Sequence, residues 1–202
     1  YPRLENGSPL DMLAGHSLPA LERCILLQGH DDRALDWQQF LALGETISDQ
    51  QFRAREAEIK PDDIMDMLFT SGTTGKPKGV LCTHRQNIHV FSIWSDTIGL
   101  VPEDNYLVIN PFFHTFGYKA GWLAAIIKGC RIFPALAFDR EKVMAQIERD
   151  KITVMPGVPS MFEMIINDPN RSKYDLSSLR VCTTGGAAIP VQLVVDMREK
   201  LG

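Results

Sequence analysis

The chain has 202 residues, 45% of them hydrophobic, and a formal net charge of −4 at pH 7. That is enough apolar material for a sizeable core in one or two domains, and the acidic balance leaves no electrostatic footprint for nucleic acid. The longest apolar candidate, residues 122–127 framed by Lys119 and Lys128, is far too short for a membrane span, and residues 1–5 lack the charged start and apolar core of a secretory leader. Four scattered cysteines, Cys24, Cys82, Cys130 and Cys182, show neither Cys-x-x-Cys nor metal-ligand spacing. They predict buried reduced thiols, no metal site and a cytoplasmic protein.

In chain order, residues 1–15 are rich in Pro, Gly and Asn and read as a loop. Residues 18–27 are apolar and end as a strand. Asp36 is placed to cap a helix that carries Trp37, Phe40 and Leu41 on one face, and the charge-rich residues 50–60 read as a solvated helix or connector. Residues 64–69 and 79–82 are short apolar runs that read as strands. Thr83, three residues before Gln86, has capping-box spacing and opens a helix over residues 84–97 with Ile88, Phe91 and Trp94 inward. Strand and helix then alternate: strand 105–110, helix 119–128 closed by Gly129, strand 130–133, a helix capped by Asp139 that buries Val143, Met144 and Ile147, strand 152–155, helix 160–167 stopped by Pro169, strand 179–183, and helix 190–201 with Pro190 in its first turn. The alternation predicts an α/β fold with a mainly parallel sheet flanked by helices. Residues 1–95 are expected to form part of one α/β subdomain and residues 96–202 part of a second.

Between the strands at 64–69 and 79–82 lies the most chemically loaded stretch. Thr70, Ser71, Gly72, Thr73, Thr74, Gly75, Lys76, Pro77, Lys78 and Gly79 bring four hydroxyls, three glycines and two lysines into ten positions. Glycine permits close backbone approach, so N–H groups can converge on an anion while hydroxyl and ammonium groups add donors. The same residue types build ordinary hairpin turns, but this density and order of donors favours phosphate binding. It is not a Walker A loop: Gly72 and Gly75 stand too close, and Pro77 follows Lys76 where Ser or Thr would be needed.

As a whole, residues 68–80 resemble the signature loop of the adenylate-forming (AMP-binding) superfamily, which includes acyl-CoA synthetases, peptide-synthetase adenylation domains and luciferases. The resemblance implies that Thr70, Ser71, Gly72, Thr73, Thr74, Gly75, Lys76 and Lys78 clasp the phosphates of ATP. A carboxylate then attacks the α-phosphorus to give acyl-AMP and pyrophosphate, and a thiol takes the acyl group. It further implies ATP, Mg²⁺ and coenzyme A as cofactors and a small carboxylic acid as substrate.

Beyond the strand at 105–110, Pro111, Phe112, Phe113 and His114 place an imidazole after two aromatics. Taken alone, such a histidine is a structural one. The segment looks like the family's aromatic motif, which assigns His114 to orientation and gating between ATP, acid and thiol. Lys119 offers a partner for a carboxylate, but a solvated lysine is the favoured reading. Gly185, Gly186, Ala187 and Ala188 carry side chains too small to fill space, so the backbone there suits either a plain turn or a ligand-lined wall. The resemblance places them at the acyl and adenine pockets, with Phe113, Phe116, Trp122, Val158 and Met161 as apolar lining. No acidic residue stands near residues 112–121 to hold an amino group, which favours a non-amino acid and a bacterial fatty-acid or steroid-side-chain CoA ligase. Loading of a carrier protein and a non-catalytic nucleotide-binding module remain as alternatives. The family's later Tyr-Gly-x-Thr-Glu and Thr-Gly-Asp motifs and its C-terminal lid domain do not occur in this sequence, and the first residue is not Met. The chain is therefore expected to be a fragment of the large N-terminal domain, nearly inactive alone, with exposed edges that invite homo-oligomerisation.

Overall fold

The structure, a computed structural model, describes residues 9–14, 18–70 and 75–201. It divides into two compact units, Tyr1–Lys60 and Pro61–Gly202. The first unit contains helix α1 (Pro9–Ala14) where the sequence reads as a loop. Proline suits a first helical turn, whose N–H groups have no partner within the helix in any case. Strands β1 (Ile25–Leu26) and β2 (Leu35–Asp36) pair in parallel. Helix α2 (Trp37–Gly44) starts at Asp36, whose carboxylate accepts the Gln39 N–H at 2.8 Å while the Gln39 side chain accepts the Asp36 N–H at 2.9 Å. Helix α3 (Asp49–Glu58) is capped in the same way by Ser48 and Gln51 and buries no residue, as its charge pattern predicts.

The second unit opens with an antiparallel hairpin of β3 (Ile64–Phe69) and β4 (Gly79–Thr83), with Phe69 opposite Gly79. A short connection can join antiparallel strands, whereas parallel ones need a long crossover. Helix α4 (His84–Thr97) begins at the expected capping box, the Thr83 hydroxyl accepting the Gln86 N–H at 3.2 Å and the Gln86 amide oxygen accepting the Thr83 N–H at 2.9 Å. Its inward face corrects one expectation. Ile88 is 50% exposed, and the buried positions are Asn87 and Ser95 with Phe91 and Trp94 half-buried beside them. The register is rotated because Asn87 has a polar partner inside, described below.

A four-stranded, all-parallel sheet follows, built from β5 (Asn105–Val108), β6 (Arg131–Pro134), β7 (Val154–Gly157) and β8 (Val181–Thr184) in the order β6-β5-β7-β8. Alternation along β5 sends Tyr106 and Val108 to one face and Leu107, with Ile109 just beyond the strand, to the other. Each face has its own core. Leu107 and Ile109 join Met144, Ile147, Met155, Phe162 and Leu193, whereas Tyr106 and Val108 join Leu100, Ala124 and Val154. Helices α7 (Arg140–Asp150), α8 (Pro159–Ile166) and α9 (Val191–Lys200) supply the first core. A short turn of helix α5 (Thr115–Gly117) precedes helix α6 (Ala124–Lys128), which packs in the second and is closed by Gly129 at φ 73°. The expected helix at 119–128 is regular only over its second half, because Tyr118–Leu123 is wound as a π-helix with non-helical angles at Gly121.

All four cysteines are free thiols. Cys130 alone of the four is buried and the others are half-buried, so the expected burial holds for one of them. Burial nonetheless pushes the Cys182 thiol up to about 12. Among the described residues no helix is long and apolar enough to cross a membrane.

Candidate functional site

Strand β5 lies between β6 and β7. The chain therefore leaves β5 to one side, toward β6, and returns to the other side in β7. Such a reversal opens a crevice beyond the carboxyl ends of the strands. Asn110, 4% exposed, donates its amide N–H to the Pro156 carbonyl at 3.3 Å and so ties the β5 end to the β7 end. The chain then turns sharply into α5. A Cβ on Gly117 would lie 2.2 Å from the carbonyl oxygens of both Asn110 and Pro111, so only glycine allows this passage.

His114 caps that turn, its Nδ1 accepting the Phe116 backbone N–H at 3.2 Å. An acceptor role for Nδ1 leaves the proton of the neutral ring on Nε2, which is then available as a donor. His114 and Thr115 stand between two cavities. One, of about 340 Å³, is lined by Trp94, His114, Phe116, Thr183, Thr184, Gly185 and Gly186. The hydroxyl oxygens of Thr183 and Thr184 are out of contact with solvent and meet no partner among the described residues. Buried hydroxyls without partners are costly, and these two lie behind the cavity wall that their residues form. Gly186 sits at φ 82°, where a side chain would be strained.

The second cavity, of about 560 Å³, runs from His114, Thr115 and Phe113 to the base of the β3–β4 hairpin at Leu68, Phe69, Thr70, Val80 and Cys82, and is also lined by Lys119. At that base the Thr70 N–H donates to the Lys78 carbonyl at 3.0 Å and the Thr70 hydroxyl accepts the Lys78 N–H at 3.1 Å. The loop thus leaves and rejoins the hairpin at one rung.

Lys119 overturns the solvated reading. It is 4% exposed, and its ammonium lies 3.1 Å from Asp66 Oδ1 on β3. The other oxygen, Oδ2, accepts from the Tyr118 hydroxyl at 3.1 Å and from Asn87 Nδ2 at 2.7 Å. A charged residue within the apolar run of residues 64–69 was the signal for this cluster. The π-wound segment turns both Tyr118 and Lys119 toward it, as π-bulges do when they re-aim neighbouring side chains. Tyr118 also stacks on Trp122, with ring centroids 4.6 Å apart, so Trp122 is engaged there. Met161 packs against the main core.

Of the residues singled out in the sequence, His114, Thr70, Gly185 and Gly186 line these cavities. Gly75, Lys76 and Lys78 are exposed on the hairpin loop, and Ala187 and Ala188 are exposed beyond the cavity wall. Ser71, Gly72, Thr73 and Thr74 lie outside the described residues. Sequence reasoning missed Thr183, the interstrand role of Asn110, and Asp66 as the carboxylate that Lys119 meets. Among the described residues no group of three or more His, Cys, Asp or Glu side chains is placed to hold a metal ion.

The profile of the family described as "AMP-binding enzyme" matches residues 11–202. The chain belongs to that family. A ligase of Rhodococcus jostii (strain RHA1), named for a methyl-dioxo-octahydro-indenyl propanoyl:CoA, is 49% identical to this AMP-binding chain over 166 residues, which is 82% of this chain and 32% of the relative. The anthranilate CoA ligase AuaEII, solved in complex with anthranoyl-AMP, superposes with a TM-score of 0.78 at 26% identity over 94% of this chain and 36% of its own. The O-succinylbenzoate coenzyme A synthetase MenE of Bacillus subtilis, solved with ATP and a magnesium ion, superposes with a TM-score of 0.60 at 31% identity over 70% of this chain and 29% of its own. The α/β architecture with its parallel sheet is that of the amino-terminal part of such ligases. The chain spans about a third of the length of the relatives it matches.

Proposed function

We propose that this AMP-binding chain forms the nucleotide- and acid-binding part of an acid–thiol ligase, which activates a non-amino carboxylic acid with ATP and passes the acyl group to coenzyme A. The observation that carries this reading is the placement of His114 between a cavity walled by the Gly185–Gly186 segment and a cavity that reaches the base of the phosphate-type loop at Thr70. The loop residues Thr70, Ser71, Gly72, Thr73, Thr74, Gly75, Lys76 and Lys78 would hold the phosphates, the two ammonium groups offsetting their charge. Thr183, Thr184 and the small Gly185 and Gly186, continued by Ala187 and Ala188, would border the adenylate. His114, with its proton on Nε2, would orient the acid and then the thiol. The carboxylate oxygen attacks the α-phosphorus and pyrophosphate leaves. The thiolate sulfur then attacks the acyl carbon and AMP leaves with the electron pair of the broken C–O bond.

Mg²⁺, which neutralises phosphate charge when bound, finds no carboxylate cluster of its own among the described residues. The apolar walls and the name of the 49% identical relative favour an acid with a compact apolar body. The whole protein should therefore show pyrophosphate exchange that depends on an apolar carboxylic acid, and CoA-dependent release of AMP. His114→Ala should lower thioester formation at least about tenfold, or about 1.4 kcal/mol in barrier, with ATP affinity by calorimetry nearly unchanged. The 202-residue chain alone is expected to bind nucleotide and to turn over far more slowly. Exchange that is indifferent to every acid would sink the ligase reading in favour of a nucleotide-binding module. Acyl transfer only to a carrier protein would redirect the acceptor.

A further inference from the structure

Lys119 lines the second cavity, and the cluster it forms with Asp66 is the most heavily engaged buried charge near it. Asp66 and Lys119 side chains are 12% and 5% exposed. One carboxylate gathers Lys119 and Tyr118 from the π-wound segment and Asn87 from α4 onto strand β3. The ammonium faces Oδ1 off the hydrogen-bonding direction, since Oδ1 has no hydrogen-bond partner, so its attraction is that of a point charge. Asp66 lies four positions before Thr70 on the hairpin, and Lys119 five positions after His114. Apolar side chains of similar volume would fill this space and would often stabilise the fold at least as well, whereas a buried ion pair sets one register between the elements that carry it.

We propose that Asp66 and Lys119 are positioning residues that fix the spacing between the phosphate-binding hairpin and the His114 segment. This rests on the ligase reading above, because it assigns ATP to one of those segments and acid and thiol to the other. Neither residue need touch substrate. A register between two ligand-holding segments controls how well both reactants are aligned, and small misplacements are expensive in rate.

The test uses the whole protein with the double substitution Asp66→Asn and Lys119→Met, which removes both charges while keeping volume. Its Tm is expected within a few degrees of the unaltered protein, with KM for ATP in pyrophosphate exchange raised about tenfold and KM for the acid nearly unchanged. Wild-type kinetic constants at wild-type stability would overturn the proposal and leave the pair a structural one. Should the double variant fail to fold, Lys119→Arg, which keeps the charge, is expected to retain about tenfold more kcat/KM for ATP than Lys119→Met, and equality of the two would overturn it. If the unaltered protein shows no acid-dependent exchange at all, the ligase reading fails. Hydrogen exchange then decides the positioning role separately. Amides of residues 70–80 should exchange faster in the variants than in the unaltered protein, and unchanged rates there would overturn the proposal.

Discussion

Tyr118 shows how a single side chain reports its surroundings. Burial, then the charge of Asp66, then the hydrogen bond to it, push its phenol up to about 12. A pKa raised in the folded state means that the folded protein holds this proton more tightly than the unfolded chain does. The resulting stability is complete below the ordinary value of 10 and is lost as pH rises from there to about 12. Tyr118→Phe should therefore be less stable by about 1 kcal/mol near pH 8, where the hydrogen bond is lost. The gap should close as pH climbs through that window, as followed by urea unfolding at a series of pH values. A gap that stays constant from pH 9 to 12 would mean that the phenol does not sense Asp66. The charge that Tyr118 meets was visible in the sequence as an acid inside an apolar strand, and Lys119 was open to a carboxylate partner, but nothing in the chain joined the two. Only the π-winding turns Lys119 inward, and no spacing rule announces that.

At the scale of elements, the caps were the most legible features. Asp36, Thr83 and Asp139 each accept the N–H of the residue three positions on, an interaction that depends on local spacing alone, and Ser48, not singled out in the sequence, does the same for α3. Thr83→Ala removes the acceptor for the Gln86 N–H at the point where β4 becomes α4, and the expected loss is about 1 kcal/mol, read as a lower urea midpoint with unchanged slope. A change in slope would show that the hairpin had come apart together with the cap. Element faces were less legible than element ends. Ile88 was expected inside α4 and is exposed, because a polar residue with a strong buried partner outcompetes an isoleucine for the inner face. Short apolar runs likewise indicated strands at 64–69 and 79–82 but not that they pair as an antiparallel hairpin apart from the parallel sheet.

Across the second unit, the sheet is tied at both ends. At the carboxyl ends Asn110 reaches Pro156. At the opposite ends Asp104, 2% exposed, accepts from Arg180 at 2.6 Å, from Thr153 at 2.7 Å and from the Val101 N–H at 2.9 Å, joining the starts of β5, β7 and β8. Burial works to raise the Asp104 pKa, but the Val101 N–H, Arg180 and Thr153 together outweigh it and hold the carboxyl below its ordinary range. A lowered folded pKa contributes stability that is present above the ordinary carboxylate range and lost as pH falls through and below it. Arg180→Met leaves a buried carboxylate short of its cation and should cost about 2 kcal/mol at neutral pH, less than a fully enclosed pair because Arg180 is half exposed. The deficit should shrink on acidification below about pH 4. A deficit independent of pH would place its origin in packing rather than charge.

Local chemistry was thus readable without coordinates. Helix caps, the glycine-rich donor loop, the alternation of strand and helix and the family to which they belong all depend on residues close together in the chain, and short-range sterics and hydrogen bonding act on those directly. Tertiary structure alone decided the sheet order with its reversal at β5, the meeting of Thr183 and Thr184 with His114 around one cavity, and the Asp66–Lys119 pair. Each brings together residues far apart in sequence. Their meeting is set by tertiary packing, and periodicity carries no information about which distant partner will be there.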